Sequence, residues 1–250
     1  MRDAPRDPAG PPEPAWRPTF LLITCEHGGH EIPEPHRHLF TGAEETLRSH
    51  RGWDAGALAL ARRLAADLAA PVIFATTCRL LVELNRSLGQ PDLFSEFTRS
   101  LSPDEKQRLL DDLYHPYRNS VRGALARAIG GGERALHLSI HSFTPRLGAE
   151  VRTVEVGVLF DPARPAEAAL ADWWLPRLCA RRLDARPNEP YNGTDDGLTT
   201  TLRAELAPDA YAGLELEVRN DILTAPRAGA IASALAADLR AMTAAVPPRS

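Results

Sequence analysis

The stretch TFLLITCEHGGHEIP, residues 19–33, joins a largely apolar run to a cluster of reactive side chains. Residues 19–25 show no regular polar–apolar alternation, which is typical of a strand that is covered on both faces. Where the run ends, His27 is followed by two glycines, which leave the backbone open around a bound ligand. The stretch predicts a buried strand with ligand-binding residues at its carboxyl end, or else a polar turn that is rich in histidine.

Further apolar runs predict more strands, and segments with a helical repeat separate them. The predicted strands are residues 71–77, 80–84, 135–140, 154–160 and 213–218. The predicted helices are residues 55–70, 165–183 and 228–244, with another that begins at Ser102 and falters near His115 and Pro116. Such alternation predicts an α/β fold with a mixed, mainly parallel central sheet flanked by helices. Functional residues of these sheets collect at the carboxyl ends of strands.

The two ends of the chain differ from its middle. Residues 1–17 are rich in proline and charge, and residues 245–250 read AVPPRS. We expect flexible tails at both ends. Residues 18–244 then form one α/β hydrolase domain, since the sequence shows no internal repeat and no second core.

Composition excludes several classes of function. The net charge of -4 supplies no basic field for nucleic acid. No apolar run reaches the length of a membrane helix, and the N-terminus lacks the apolar core of a signal peptide. The three cysteines lack a C-x-x-C spacing, which fits reduced thiols. We therefore expect a cytoplasmic protein that acts on a small molecule, without a nucleic-acid or membrane partner.

A second histidine follows another predicted strand. His141 comes directly after residues 135–140. Alone it fits a hydrogen-bonded core histidine equally well. Together, His27 and His141 at two strand ends suggest a zinc site, because zinc commonly takes two imidazoles and a carboxylate and keeps one position open.

The stretch CRLLVELNR, residues 78–86, delivers Asn85 and Arg86 to the end of a predicted strand. An arginine can donate two parallel hydrogen bonds to a carboxylate, so the pair suits a clamp for a substrate carboxylate. The alternative is a helix-capping asparagine beside a surface ion pair.

Two acidic residues alternate along the last predicted strand. Glu215 and Glu217 lie on the same strand face. One of them could act as a general base beside a metal. The alternative is a solvated edge strand, which is the stronger rival for Glu215 because Glu217 lies closer to the strand end.

Six motifs, in order and spacing, resemble the N-formylglutamate amidohydrolase family. They are CEHGGHEIP, RGWDAGALALA, CRLLVELNRS, IHSFTP, NEPYNG with TDDGLT, and LEVRND. The resemblance runs from about residue 20 to residue 240. It implies a fold related to that of zinc carboxypeptidases and aspartoacylases.

By that resemblance, His27 takes the first metal position and His141 the last, with zinc as the expected ion. Asn85 and Arg86 take the carboxylate clamp, and Glu217 becomes the general base.

The sequence departs from the relatives' pattern at one point. Their His-x-x-Glu metal pair is absent, because His30 stands three residues after His27. Three residues could supply the missing ligand, namely His30, Glu31 and Asp54. We favour Asp54 because the resemblance at the WDAGA segment centres on it, although Asp54 would also serve as a helix N-cap.

Together these features predict a metal-dependent amidohydrolase that holds one divalent ion. Arg79 and the metal would stabilise the oxyanion, and N-formyl-L-glutamate is the first substrate to consider. Two alternatives remain open, a peptidase or amidase acting on another small amide such as a cell-wall fragment, and a metal-free carboxylate-binding protein.

Overall fold

Strand β3 (Ala135–Phe143) lies in the middle of the sheet and is buried along its whole length. It pairs in parallel with β1 (Phe20–Cys25) on one side and with β8 (Tyr211–Arg219) on the other. This computed structural model describes residues 13–243. With β2 (Val72–Phe74), β6 (Val156–Leu159) and β7 (Ala185–Pro187), the six sheet strands follow the order β2-β1-β3-β8-β6-β7. The apolar run at residues 19–25 therefore forms a covered strand, as its composition predicts.

Strands β2, β6 and β7 complete a mixed sheet, and a separate hairpin is formed by β4 (Arg146–Leu147) and β5 (Glu150–Val151). Strand β6 runs antiparallel to β8 and parallel to β7, while the other sheet pairs are parallel. The predicted mixed, mainly parallel α/β fold is confirmed.

Helices cover both faces of this sheet. The α-helices are α1 (Glu44–Arg48), α2 (Ala57–Leu68), α3 (Pro103–Leu109), α4 (His115–Gly130), α5 (Pro165–Ala180), α6 (Leu198–Glu205), α7 (Asn220–Leu223) and α8 (Ala228–Met242). A 3-10 helix spans Glu34–Phe40. Helices α2, α5 and α8 pack against one face, and α4 and α6 pack against the other. Consecutive strand residues therefore enter different cores, as Leu22 and Ile23 of β1 do.

Residues 80–84 are not a strand, so that prediction was wrong. The segment runs through turns, yet Leu81 and Val82 are buried. A short apolar run indicates burial but does not by itself specify a strand.

The helix predicted to begin at Ser102 does so, with a capping box between Ser102 and Glu105, but the predicted break near His115 and Pro116 was wrong. A π-helical turn (Leu110–Tyr114) leads directly into α4. Pro116 then lies in the first turn of α4, where its missing N–H is tolerated.

The predicted N-terminal tail was too long. Residues 13–17 are described, and Trp16 packs against the core while its indole Nε1 donates to the Asp209 carbonyl at 3.1 Å. The rest of that tail and the tail at residues 245–250 lie outside the described residues. Within residues 13–243, no helix has both the length and the apolar character required to cross a membrane.

Gly157 of β6 allows a close backbone approach. A Cβ atom there would lie 1.9 Å from the Glu189 carbonyl oxygen and 3.3 Å from the Glu217 Cβ. Gly229 of α8 is the opposite case, since a Cβ atom there meets nothing within 4 Å.

We expect Gly157→Ala to lower the free energy of unfolding by roughly 1–3 kcal/mol, because the methyl group must push a backbone segment aside. Gly229→Ala should leave stability unchanged or raise it by up to about 1 kcal/mol, since alanine is the better helix former. Urea denaturation of both variants tests the comparison. If the two variants have equal free energies of unfolding, the backbone at Glu189 can move away from the added methyl group at little cost.

Candidate active site

The carboxyl ends of β1, β3 and β8 meet at one edge of the sheet and border a cavity of about 220 Å³. Most of its lining residues are polar or charged. They are His27, His50, Asp54, Arg79, Asn85, Arg86, His141, Ser142, Leu159, Tyr191, Asn192, Asp195, Asp196, Glu215 and Glu217. The seven residues that the sequence favours for a metal, clamp or catalytic role therefore border one space.

Three buried side chains converge at the floor of this cavity. One ligand atom each from His27, Asp54 and His141 lies within 4.8 Å of the other two. Asp54 Oδ2 lies 3.3 Å from His27 Nδ1 and 3.0 Å from His141 Nδ1. Each comes from a different element: His27 follows β1, Asp54 precedes α2, and His141 lies in β3.

The outer nitrogens of both imidazoles are engaged elsewhere. His27 Nε2 contacts Glu83 Oε1, and His141 Nε2 lies 3.2 Å from Glu26 Oε2. In neutral imidazoles the protons therefore belong on Nε2, which leaves both Nδ1 atoms bare and directed at a carboxylate oxygen. Such an electron-rich set needs a cation or additional protons, so its donors fit a divalent metal ion.

The pKa directions agree with this view. Burial alone would lower the pKa of His141, but hydrogen bonds to Asp54 and Glu26 outweigh it and raise that pKa well above its ordinary value. Burial would raise the pKa of Asp54, whereas the nearby His27 and the hydrogen bond from His141 bring it well below its ordinary value. These shifts favour a protonated His141 beside an ionised Asp54, and a metal ion bound here would displace that proton.

Asp54 does not cap helix α2, although the sequence left that role open. The N-cap position is Gly56 and has no side-chain cap hydrogen bond. The rival ligands lie elsewhere, because His30 contacts the Trp53 ring with centroids 5.2 Å apart and Glu31 accepts a hydrogen bond from Thr76. Neither borders the cavity.

Arg79 is tied to two acidic neighbours. Its Nε donates to Glu83 Oε2 at 2.6 Å, and its Nη1 lies 3.4 Å from Asp54 Oδ1. The guanidinium thus lies at the cavity wall beside the three converging side chains.

The predicted clamp residues, Asn85 and Arg86, directly follow residues 80–84, where turns stand in place of the predicted strand. Arg86 Nη1 donates to the Asp196 carbonyl at 2.8 Å, and Nε bonds to the exposed Asp92 at 2.8 Å. Asn85 Oδ1 accepts the Leu198 N–H at 2.7 Å, so its amide group remains to donate into the cavity. Asn85 therefore bonds the start of α6 from a distant part of the chain, while keeping the donors that a clamp requires.

The two glutamates of β8 have different surroundings. Glu215 Oε1 accepts a hydrogen bond from Thr199 at 2.5 Å. The buried Glu217 Oε2 has no hydrogen-bond partner among the described residues. Burial, with nearby Asp54 and Glu215 adding to it and His141 opposing it, raises the pKa of Glu217 to about 8. Strand β8 is central rather than an edge strand, so the solvated alternative is wrong.

Sequence reasoning missed three residues of this site. Glu83 lies in the quoted stretch 78–86 but was taken as part of a strand, and Tyr191 lies in a quoted motif without an assigned role. His50 borders the cavity, and its buried Nδ1 lies 3.6 Å from Asp54 Oδ1. The i, i+4 spacing of His50 and Asp54 was the available signal.

The raised pKa of Glu217 predicts how pH affects the metal-free protein. Between the ordinary pKa of about 4.3 and the folded value of about 8, the folded state holds a proton that the unfolded chain has released. The contribution of Glu217 to stability is therefore lost as pH rises through this window.

The glutamine of Glu217→Gln cannot titrate. In EDTA, the free energy of unfolding of the variant relative to that of wild type should therefore increase by about 1 kcal/mol or more as pH rises from about 5 to about 9. Urea denaturation at several pH values measures the difference. A difference that stays constant with pH would contradict the raised pKa.

Comparison with known proteins agrees with the fold and with the motif resemblance. The model of the N-formylglutamate amidohydrolase family matches residues 19–224. Gene product Atu2144 from Agrobacterium tumefaciens is 31% identical to this chain, with a TM-score of 0.77 over 90% of each chain. No curated protein shows significant similarity.

A second solved structure shares the fold. N-formylglutamate amidohydrolase from Ralstonia eutropha JMP134 is 18% identical, with a TM-score of 0.65 over 91% of this chain and 94% of its own. The resemblance predicted from the motifs is confirmed. Because the family model covers most of the sequence, this chain belongs to the N-formylglutamate amidohydrolase family.

Proposed function

We propose that this chain is a metal-dependent amidohydrolase that cleaves the amide of a small N-acyl amino acid bearing a carboxylate. N-formyl-L-glutamate is the first candidate substrate, suggested by the family and by the name of the Ralstonia structure. The observation that carries the metal dependence is the buried group of His27, Asp54 and His141, whose ligand atoms lie within 4.8 Å of one another. Two imidazoles and a carboxylate match a catalytic zinc site with one open position.

A divalent ion bound to this group would polarise the scissile carbonyl and activate water for attack. Glu217 is our candidate for the general base, because its buried Oε2 lacks a partner among the described residues and the side chain borders the cavity. It would accept a proton from the attacking water and pass it to the leaving amine. Its register partner on β3 is His141, which brings the base next to the ligand group.

The candidates for substrate binding are Arg79 and two residues that follow it, Asn85 and Arg86. Arg86 is our candidate for binding the substrate carboxylate, since its partner Asp92 is exposed and such a surface ion pair is weak. The Asn85 amide would donate a second hydrogen bond. Arg79 is held by Glu83 and Asp54, so we assign it to the carbonyl oxygen, where charge develops during the reaction.

The number of arginines at the cavity limits how many substrate carboxylates can be bound there. Arg79 and Arg86 are the arginines that border the cavity, and Arg79 is already paired with two buried carboxylates. We therefore propose that one substrate carboxylate is bound strongly and that a second contributes less. A panel of N-formyl-glutamate, N-formyl-glutamine and formylated amino-acid amides tests this ranking and also detects a peptidase or general amidase.

The metal assignment predicts that purified protein carries about one equivalent of zinc or a similar divalent ion. His27→Ala and His141→Ala should each lose most of it, because three protein ligands leave little redundancy. His30→Ala is the matched control and should retain the metal, since His30 lies outside the cavity. Elemental analysis gives the answer. Full metal content in both site variants would refute the assignment, and a metal-free wild type that binds N-acyl amino acids without cleaving them would favour a binding protein.

The general-base assignment separates two glutamates on one strand. Glu217→Gln should reduce kcat by roughly 10²–10⁴-fold while metal content stays unchanged, because the amide keeps the shape but cannot take a proton. Glu215→Gln should be much milder, since Glu215 is already bonded to Thr199. Steady-state kinetics with metal-loaded variants measures both. If Glu215→Gln were the inactive variant, the base would have to be reassigned.

A further inference from the structure

Behind His141, on the side away from the cavity, lies a buried hydrogen-bonded group that the proposed reaction does not use. Glu26 and Ser139 are 0% and 1% exposed. Ser139 Oγ donates to Glu26 Oε2 at 2.5 Å and lies 2.9 Å from His141 Nε2. Tyr117 of α4 donates its hydroxyl to Glu26 Oε1 at 2.7 Å. The residue directly before His27 thus contacts the other histidine of the site.

The protons in this group can be assigned one by one. Ser139 has a single hydroxyl proton, and the 2.5 Å contact gives it to Glu26. The Ser139 oxygen must then accept from His141, so Nε2 of His141 carries a proton. That proton is shared with Glu26 Oε2 at 3.2 Å. When the imidazole is neutral, as it must be to bind a metal ion, Nδ1 of His141 is left with its lone pair towards Asp54 and the cavity.

The contacts that compensate the burial of Glu26 are those with His141, Ser139 and Tyr117. Among the described residues, the salt bridge of Glu26 is with His141, and no arginine or lysine pairs with it. A fully buried carboxylate without such a partner is costly to the fold. By contrast, the buried Glu167 has Arg203 and Arg164 beside it. The contacts of Glu26 point instead to the imidazole.

We propose that Glu26, together with Ser139, is a positioning residue that holds His141 in the Nε2–H form and directs Nδ1 to the metal. Metal-binding histidines usually give their second N–H to such an acceptor, and losing the acceptor typically weakens metal affinity by about 10–100-fold. Glu83 contacts His27 Nε2 in the same way but also pairs with Arg79, so Glu26 is the cleaner case to test. This inference rests on the proposed metal site.

Glu26→Gln is the principal test. An amide is a weaker acceptor, and its NH₂ group, when it faces Ser139, reverses the hydrogen bonds so that a proton moves to His141 Nδ1. We expect the Kd for Zn²⁺, measured by chelator competition on the metal-free protein, to rise by about 10–100-fold. Tyr117→Phe removes a donor from the far oxygen of the same carboxylate and should change the Kd by less than about threefold.

Two further measurements exclude a purely structural effect. Asp238→Asn removes another buried carboxylate, one paired with Arg181 in a different part of the fold, and should leave the Kd unchanged. In the Zn²⁺-loaded wild type, ¹⁵N NMR should show His141 protonated at Nε2 and metal-bound at Nδ1, with a slowly exchanging Nε2 proton that is lost in Glu26→Gln. If that variant fails to fold, Ser139→Ala removes the other acceptor and should weaken Zn²⁺ binding by several-fold.

The outcomes are distinct. If Glu26→Gln has the Kd and the NMR pattern of wild type, the positioning role is overturned while the metal site stays intact. The same holds for Ser139→Ala where it is used in place of a misfolded Glu26→Gln. A wild type that binds no Zn²⁺ would overturn the proposed function and this inference together. Weakening of equal size in Glu26→Gln, Tyr117→Phe and Asp238→Asn would also overturn it, because general destabilisation would then explain the loss.

Discussion

One carboxylate oxygen, Asp54 Oδ2, faces the Nδ1 atoms of two buried imidazoles at 3.3 and 3.0 Å. Three electron-rich atoms at such distances repel one another unless positive charge lies among them. The need for positive charge is increased by Glu83 and Glu26, which contact the outer nitrogens and favour a proton on each of them. The group could therefore hold a cation, which would link three segments that are far apart in the sequence.

The sheet makes this convergence possible. Parallel strands end at the same edge, so β1, β3 and β8 bring their terminal residues to one place although they are far apart in sequence. The register then sets finer relations, and the pairing of His141 with Glu217 places a candidate metal ligand beside the candidate base. A slip of one residue would turn Glu217 to the opposite face, so the position of the base depends on the pairing of the central strands.

Much of this could be predicted from sequence, and the gaps have physical causes. Apolar runs and helical repeats identified the sheet, and the residues after two strands identified His27 and His141 as candidates. Residues 80–84 misled because burial was mistaken for strand structure. Glu26, Glu83 and His50 were missed because their importance lies in which atom of a distant side chain they contact. A hydrophobic repeat shows which face of a helix or strand is buried, but it does not show which distant side chains contact one another.

The irregular segment 79–86 has a wider consequence for how this enzyme could change. It carries Glu83, which contacts the His27 imidazole, and three residues later Arg86, which borders the space for substrate. If a substrate that binds Arg86 also moved Glu83, it would shift the support of His27, and substrate and metal would then each alter the affinity for the other by the same factor. Substitutions in this segment that change the substrate would then alter metal affinity at the same time, whereas Tyr191 and Asp195 line the same cavity from a different part of the chain.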